Sequence, residues 1–183
     1  TQDIKYLTYP KSIPVAEAWN MGVRESKGEF VVILNDDMEV TPNWLENLHR
    51  CYNLLSITNK VGCLATLLLK NGEVLSRGGK FSGINLVPVP PINEVQEVDY
   101  SNTPFFKKSV WKEVGGVPCY GQMYYEDAGF GLRLLKDGYK NFYNPLSVIV
   151  HQVLGSEQSH GEMEIKQRQH NENVIQQESK KKF

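Results

Sequence analysis

Apolar and polar positions near the start of the chain change from a strand pattern to a helix pattern and back. Residues Ile4–Tyr9 alternate as a short strand does, and Ser12 is placed to cap a helix that runs to about Lys27. The next stretch, Glu29–Leu34, is almost continuously apolar, which is typical of a strand buried on both faces of a parallel sheet. The order of these segments predicts a strand–helix–strand unit of an α/β fold.

Helices and strands continue in mixed order after this unit. A helix that begins at Thr41-Pro42 carries Trp44, Leu45 and Leu48 on its apolar face. The other predicted elements are, in chain order, a strand at Val61–Leu69, a hairpin turn at Asn71-Gly72 with a returning strand at Glu73–Ser76, a loop at Gly78–Asn93, a strand at Glu94–Ser101, helices at Lys108–Val114 and Glu126–Lys136, and strands at Lys140–Tyr143 and Leu146–Val150.

The last part of the chain differs from the rest in composition. Residues 156–183 are dominated by Glu, Gln, Lys, His and Asn. They are predicted either as a polar helix that packs through Met163 and Ile165 or as a loosely held tail, and the basic run Lys180-Lys181-Lys182 is interpreted as solvated. The sequence is therefore divided into an α/β domain at residues 1–155 and a C-terminal helix or tail at residues 156–183.

Composition excludes several classes of protein. The 183 residues suit one domain, and the formal net charge of -1 argues against a broad nucleic-acid-binding surface. The three cysteines, Cys51, Cys63 and Cys119, show neither CxxC nor zinc-ligand spacing, which favours a reducing, cytoplasmic location. No apolar run is long enough to span a membrane, and the N-terminus lacks the pattern of a signal peptide.

Candidate chemistry first appears directly after the apolar stretch, at Asn35-Asp36-Asp37. Ligands of open α/β sheets gather at the carboxyl ends of strands, and carboxylates placed there suit Mg²⁺ or Mn²⁺. The alternative is a turn with a capping acid before Pro42. The charge of Glu39 adds to the repulsion between the two adjacent carboxylates, which favours a cation at this position.

Two further clusters leave alternatives open. Glu126-Asp127 begins a helix, where acids interact favourably with the helix dipole, but the unusual approach through Gly121–Tyr125 also allows the pair to line a pocket and supply a catalytic base. His151 ends an apolar strand, either as a hydrogen-bonded structural group or as a metal ligand beside a carboxylate.

In this order, the clusters resemble the family 2 glycosyltransferases, especially their rhamnosyltransferase-like members, over roughly Ile4 to Gly155. The segment Ala18-Trp19-Asn20-Met21-Gly22 with Lys27-Gly28-Glu29 is similar to the family's A-x-N-x-G…KGE helix, and Leu34 to Leu45 is similar to LNxDxxVTPxWL, the family's form of the DXD motif. The other matching segments are Asn71-Gly72-Glu73, Gly78-Gly79, Val114-Gly115-Gly116, Tyr125-Glu126-Asp127, Leu132-Arg133, Gly138-Tyr139 and Val150-His151.

The resemblance implies a GT-A fold, a mixed sheet between helices that binds a nucleotide-diphosphate sugar. It implies that Asp37 and His151 are ligands of a Mn²⁺ or Mg²⁺ ion and that Asn35 and Asp36 lie on the nucleotide-sugar side of this site. Arg133 is placed either to hold phosphate or other acidic groups of the nucleotide sugar or to form a structural salt bridge.

The resemblance also implies the chemistry. Asp127, with Glu126 beside it, is similar to the catalytic base that accepts the proton of an acceptor hydroxyl as it attacks the anomeric carbon. The divalent cation neutralises the leaving diphosphate, and direct displacement inverts the anomeric configuration. The acceptor is a saccharide or another molecule with a hydroxyl group.

The sequence departs from the family pattern in three places, of which the mildest is Asn35, which stands where the motif has its first acid. The strand, helix and strand that normally begin the family domain and hold the nucleotide base are missing, so the domain is expected to be incomplete at its N-terminus. Another chain or a swapped copy could supply them, which leaves a homo-oligomer open. Gly115-Gly116-Val117-Pro118 lacks the acidic segment that usually follows the two glycines, and Gly129 stands where a further acid is common.

Three hypotheses follow. The leading one is an inverting, metal-dependent glycosyltransferase, favoured because Asp37, Asp127 and His151 are all retained. The alternative is an inactive or truncated relative that acts as a binding or assembly module. A nucleotidyltransferase would share the sheet and the metal chemistry, but it would need an early glycine-rich basic loop that the sequence lacks. The donor sugar, the nucleotide and the acceptor are left open.

Overall fold

The computed structural model describes residues 4–82, 85–88, 93–152 and 162–180, with the backbone alone at 85–88 and 162–165. The helices are α1 (Val15–Glu25), α2 (Trp44–Leu55), α3 (Lys108–Glu113), α4 (Glu126–Lys136) and α5 (Glu162–Lys180). The strands are β1 (Phe30–Val32), β2 (Met38–Val40), β3 (Val61–Lys70), β4 (Glu73–Ser76), β5 (Gly79–Ser82), β6 (Asn85–Pro88), β7 (Gln96–Val98), β8 (Phe105–Lys107) and β9 (Lys140–His151).

A seven-stranded sheet forms the centre of the molecule. Its main order is β1-β8-β3-β9-β2, with β4 added to β3 and β7 added to β9. The long strands β3 and β9 are parallel, and the other named pairs are antiparallel. The predicted α/β class with a mixed sheet flanked by helices is therefore confirmed.

Helices cover both faces of the sheet because neighbouring residues of its strands point in opposite directions. Cys63 and Phe106 contribute to one buried cluster, whereas the adjacent Leu64 and Phe105 contribute to another. The first cluster also contains Ala16, Val23, Trp111, Phe130 and Leu134, from α1, α3 and α4. The second contains Trp44, Leu48, Tyr52, Phe142 and Ile149, from α2 and β9.

The beginning of the chain differs from its prediction. Ile4–Tyr9 forms no strand and is exposed along its length, with Tyr6 81% accessible to solvent. Without a neighbouring strand in the described structure, its backbone has no ladder to join. Ser12 does not cap α1; its hydroxyl instead accepts a hydrogen bond from Gln122 Nε2 at 2.9 Å.

The predicted parallel strand–helix–strand unit is accordingly wrong. β1 is shorter than the apolar run, is half-buried, and pairs antiparallel with β8 at one end of the sheet order. An apolar run indicates burial but does not specify the neighbouring strand, and β8 was not predicted at all.

The end of α1 is held by Lys108 Nζ, which donates to the carbonyl oxygens of Arg24 and Ser26 at 2.8 and 2.6 Å.

Later segments show three smaller differences. Part of the predicted loop Gly78–Asn93 is the hairpin of β5 and β6, while residues 83–84 and 89–92 of that prediction lie outside the described residues. The two strands predicted on either side of Asn144-Pro145 are one strand, β9, whose register shifts there against β3. On α2, Leu45 is 51% exposed and Tyr52 takes its place in the buried face.

Other local predictions are confirmed. Asn71 and Gly72 have φ values of 52° and 79°, as a tight hairpin turn between β3 and β4 requires, and α4 has the predicted bounds. Residues 162–180 form α5, with Ile175 buried; the side chains of Met163 and Ile165 lie outside the described residues. None of the helices in the described ranges is long and apolar enough to cross a membrane.

Strand directions bring several carboxyl ends to one edge of the sheet. β1 is antiparallel to β8, which is antiparallel to β3, so β1 runs in the same direction as β3 and β9. Directly after β1, the amide of Ile33 donates to the carbonyl of Pro104 at 3.2 Å, which joins the segments that follow β1 and precede β8. A short turn joins α4 to β9, so the first turn of α4 lies toward the same edge.

Candidate active site

The pairing of β2 with β9 brings Asp37 and His151 together. Met38 is the ladder partner of His151, and the carbonyl of Asp37 accepts a hydrogen bond from the amide of Gln152 at 2.7 Å. The side chains meet with Asp37 Oδ2 3.3 Å from His151 Nε2. These two residues, which sequence reasoning also selected, are called the metal corner below.

Each side chain of the metal corner has a buried polar atom without a partner in the described part of the chain. These atoms are Asp37 Oδ1 and His151 Nδ1. Buried polar atoms are normally hydrogen-bonded, and leaving one unsatisfied costs about 1–3 kcal/mol. The metal corner therefore has the capacity to bind a polar ligand or a cation.

The donor atoms fit Mn²⁺ or Mg²⁺. The separation of 3.3 Å between the facing atoms is close to the ~3 Å between neighbouring ligands of an octahedral ion with ligand distances of about 2.1 Å. Within the described ranges, no group of three or more His, Cys, Asp or Glu side chains is arranged to hold an ion. The described residues thus present two candidate ligands, and such ions commonly complete their shell with water and substrate phosphates.

Asn35 and Asp36 lie in the loop between β1 and β2, immediately before Asp37. Both side chains are exposed at the carboxyl edge of the sheet. Beyond the loop, Glu39 Oε2 accepts a hydrogen bond from Gln152 Nε2 at 2.6 Å. Glu39 therefore pairs across the strands, and the predicted repulsion concerns mainly the adjacent acids of the loop.

Asp127 and Glu126 occupy the first turn of α4. Burial raises the pKa of Asp127 from its ordinary 3.8 to about 6, against the opposing effect of the Ala128 amide, which donates to Asp127 Oδ1 at 2.8 Å. Burial also raises the pKa of Glu126, and the charge of Asp127 acts in the same direction. A carboxylate with a pKa near neutrality is suited to accept a proton from a bound hydroxyl group.

The turn before α4 has an uncommon backbone conformation. Tyr124 and Tyr125 have φ values of 78° and 69°, in the left-handed region that bulky residues rarely adopt. The side-chain amide of Asn171, on α5, donates to the carbonyl oxygens of Met123 and Tyr124 at 2.9 and 3.1 Å. Contacts from α5 therefore stabilise the turn that directs the acidic pair.

A cavity of about 540 Å³ opens beside this turn. Asp127 lines it, whereas Glu126 lies behind it and is 8% exposed. The rest of the lining comes from the turn, the segment before β8 and α5, in the form of Tyr124, Tyr125, Tyr100, Asn102, Arg168 and Glu172. This space is called the Asp127 cavity below.

Comparison with known proteins identifies the fold and the motif region. The model of the family described as Glycosyl transferase family 2 matches residues 1–53, which include the Asn35-Asp36-Asp37 loop. The chain is also similar in structure to GalNAc-T7 crystallised with UDP, GalNAc and Mn²⁺, with a TM-score of 0.62. Residues 1–53 are therefore similar to the family 2 glycosyltransferases, and the chain has the GT-A fold. The resemblance expected from the motifs is thereby confirmed.

The structural match to GalNAc-T7 covers most of this chain but a smaller part of the other protein. The two chains are 17% identical, and the match covers 80% of this chain and 32% of GalNAc-T7. Such a likeness shows the shared fold, and the chain spans about a third of the length of that protein. No curated protein sequence matches the chain.

Arg133 is held away from the lining of the Asp127 cavity. Its Nη1 donates to the carbonyl oxygens of Gly115 and Gly116 at 2.8 and 3.1 Å. These contacts connect α4 with the turn after α3, as a structural role requires, although through carbonyls and not through a salt bridge. Its role in binding the nucleotide sugar stays a prediction.

Sequence reasoning did not select most residues of the Asp127 cavity. It noted the unusual approach to α4 but assigned no role to Tyr100, Asn102, Arg168 or Glu172. The last two lie on α5 at a spacing of four residues, within a segment whose polar composition gave no sign of burial. The sequence carries no signal for them, because even Asn171, which is fully buried, cannot be distinguished by sequence from its exposed neighbours.

Proposed function

We propose that this domain is an inverting, metal-dependent glycosyltransferase that moves a sugar from a nucleotide-diphosphate donor to an acceptor hydroxyl. The observation that carries the proposal is the metal corner, where one carboxylate and one imidazole meet at 3.3 Å with a buried, unsatisfied atom on each side chain. It lies in and beside the loop matched by the family model. The Asp127 cavity supplies a separate place for an acceptor.

On the donor side, Asp37 and His151 would hold Mn²⁺ or Mg²⁺, and the exposed Asn35 and Asp36 would face the ribose and sugar of the nucleotide. A divalent cation bound there would neutralise the charge of the leaving diphosphate. GalNAc-T7 was crystallised with both UDP and Mn²⁺, which supports this pairing of ligand and ion in the fold.

On the acceptor side, Asp127 would act as the general base. Its raised pKa of about 6 leaves it ionised above that pH and able to take a proton from a hydroxyl group. Glu126 is too buried to reach an acceptor directly and would keep the first turn of α4 in place. With the base and the donor ion in different positions, a direct attack with inversion needs no covalent intermediate on the protein.

The test is a calorimetric titration of UDP, and separately dTDP, in the presence and absence of Mn²⁺. We expect binding that requires Mn²⁺ and that Asp37→Ala abolishes. The matched control is Asp137→Ala, an acid outside the metal corner at the end of α4, which should bind as the unmodified protein does.

Two results would contradict the proposal. Nucleotide binding that is independent of both Mn²⁺ and Asp37 would remove the metal corner from the donor site. A folded chain that binds neither nucleotide would favour the alternative of an inactive or truncated relative that acts as a binding module.

We also propose a cytoplasmic location. Its support is the presence of three free thiols, those of Cys51, Cys63 and Cys119, of which the last is exposed. Fractionation of cells that express the native gene product tests this location. Recovery of the chain from an oxidising compartment, with Cys119 in a disulfide, would contradict it.

A further inference from the structure

The C-terminal helix α5 is part of the Asp127 cavity and is firmly attached to the domain. Asn171 is fully buried and donates to the two backbone carbonyls before Tyr125, while Ile175 is 1% exposed. One turn earlier, Gln167 packs so closely on Gly121 that a Cβ there would stand 2.3 Å from its Nε2. These contacts fix the register of α5 against the acidic pair.

The register of α5 determines which of its side chains reach the cavity. Arg168 and Glu172 lie on either side of Asn171 in the helix, and both line the cavity. Both interact with the hydroxyl of Tyr125, and the guanidinium of Arg168 lies 5.9 Å from the centre of the Tyr124 ring. The wall that α5 contributes is therefore a connected set of charged and aromatic groups.

The chemistry of the lining resembles what a sugar ring requires. Three tyrosine rings provide apolar faces with polar edges, and Asn102, Arg168 and Glu172 provide donors and acceptors for hydroxyl groups. The volume of about 540 Å³ falls within the ~300–1,000 Å³ typical of small-molecule sites.

The charges of the lining favour a neutral ligand. Among the lining residues, the carboxylates of Asp127 and Glu172 outnumber the single guanidinium of Arg168, and both Arg168 and Glu172 interact with the hydroxyl of Tyr125. A carboxylate or phosphate on the ligand would add negative charge beside Asp127, and like charges in a partly desolvated site repel. Hydroxyl groups carry no such cost.

We infer that the Asp127 cavity binds a neutral saccharide as the acceptor and that α5 determines this specificity through Glu172 and Arg168. In this arrangement, the tyrosine rings pack against the sugar, and Glu172 accepts a hydrogen bond from one of its hydroxyl groups. Asp127 faces the hydroxyl that reacts. This inference rests on the proposed function, because it assigns the cavity to the acceptor side of a glycosyltransferase.

The test measures saccharide binding to the full 183-residue chain by ligand-observed NMR. The probes are the neutral methyl glycosides of glucose, galactose, N-acetylgalactosamine and rhamnose, with glucuronic acid as the acidic comparison. We expect at least one neutral glycoside to bind and glucuronic acid to bind more weakly. In Glu172→Gln, the affinity for that glycoside should fall about tenfold, as loss of a charge-assisted hydrogen bond predicts.

The matched control is Glu178→Gln, which changes an acid of the same helix that pairs with Lys136 at 3.1 Å and does not line the cavity. It should bind the glycoside as the unmodified chain does. The inference is overturned if no neutral glycoside binds, if glucuronic acid binds best, or if the two glutamine variants behave alike.

The outcome is separable from that of the nucleotide titration. If the chain binds UDP with Mn²⁺ but Glu172→Gln leaves glycoside affinity unchanged, the proposed donor site is supported and the proposed role of α5 is contradicted. If glycoside binding depends on Glu172 but no nucleotide binds, the saccharide site is supported and the proposal of a glycosyltransferase is contradicted.

Discussion

The metal corner and the Asp127 cavity lie in the same domain but are built in different ways. The metal corner needs only the pairing of β2 with β9, which places Asp37 beside His151 through a continuous backbone ladder. The Asp127 cavity needs three segments that are distant in sequence, namely the turn before α4, the residues before β8, and α5. One site is fixed by strand register, and the other by the docking of a helix.

This difference predicts different sensitivities. Strand register in the metal corner is determined by the pairing of the three residues of β2 with β9 and by the buried Ile149 of β9, so the position of Asp37 should resist surface changes. The cavity depends on the packing of α5 against the turn before α4. A few polar contacts, such as those of Asn171, hold the helix in this position. Mutations that separate the two sites functionally are therefore the most informative.

The largest expected effect is a loss in the rate of sugar transfer without a loss of nucleotide binding, which distinguishes the two sites. In Asp127→Asn, transfer from the nucleotide sugar selected by a donor screen should fall about 10²–10⁴-fold, because a general base is lost. Mn²⁺-dependent UDP affinity should stay unchanged, since Asp127 is not in the metal corner. Single-turnover transfer and calorimetry measure the two quantities. Equal losses in both would mean that the two regions form one site.

The next largest effect is on nucleotide binding at the metal corner. His151→Ala should weaken Mn²⁺-dependent UDP binding about 10–100-fold, because the proposed metal site would lose one of its two protein ligands. Glycoside binding should not change. His170→Ala, at an exposed position of α5, is the matched control. If the two alanine variants bind UDP equally well, His151 is a structural residue and not a ligand.

A smaller effect is expected in the pH dependence of the free energy of unfolding. The pKa of Asp127 is raised in the folded state to about 6, so the folded protein binds this proton more tightly than the unfolded chain, and stability is lost as pH rises from about 4 to above 6. Asp127→Asn removes this loss. In metal-free urea unfolding, the variant should gain about 1–2 kcal/mol relative to the unmodified protein between pH 4 and pH 7.5, after allowance for partial solvent access. A pH-independent difference would contradict the assignment.

The smallest effect sharpens the assignment of Arg133. Arg133→Gln should lower the free energy of unfolding by about 1 kcal/mol, since it removes the hydrogen bonds to the carbonyls of Gly115 and Gly116. UDP affinity should stay the same if the residue is structural. A marked loss of UDP binding without a change in stability would instead support the predicted role in nucleotide-sugar binding.

The parts of the fold that sequence reasoning predicted correctly are those whose signals are local. The bounds of α4 follow from the apolar period of its residues and its terminal glycine, and the hairpin after β3 follows from Asn71-Gly72. The proximity of Asp37 and His151 was also accessible, because each residue follows or ends an apolar run; their role as metal ligands stays a prediction. In both cases, the pattern that carries the prediction lies within one or two elements.

The parts that could not be predicted depend on distant neighbours. The sequence of β1 is typical of a buried parallel strand, yet β1 pairs antiparallel with β8, a strand of three residues with no periodic signal of its own. Ile4–Tyr9 alternates like a strand but has none to pair with in the described structure. The role of α5 rests on one buried Asn171 within a polar sequence, and composition cannot show which polar residues will be covered.

The two left-handed tyrosines before α4 have a consequence for how such a domain would respond to selection. A bulky residue in this conformation is less stable than a glycine would be, so the fold gives up stability at Tyr124 and Tyr125 to keep two aromatic rings in the lining of the cavity. A library screened only for survival after heating would enrich glycine at these positions and remove two rings from the cavity lining while improving the protein by that measure. Thermostability alone is therefore the wrong criterion for improving this domain.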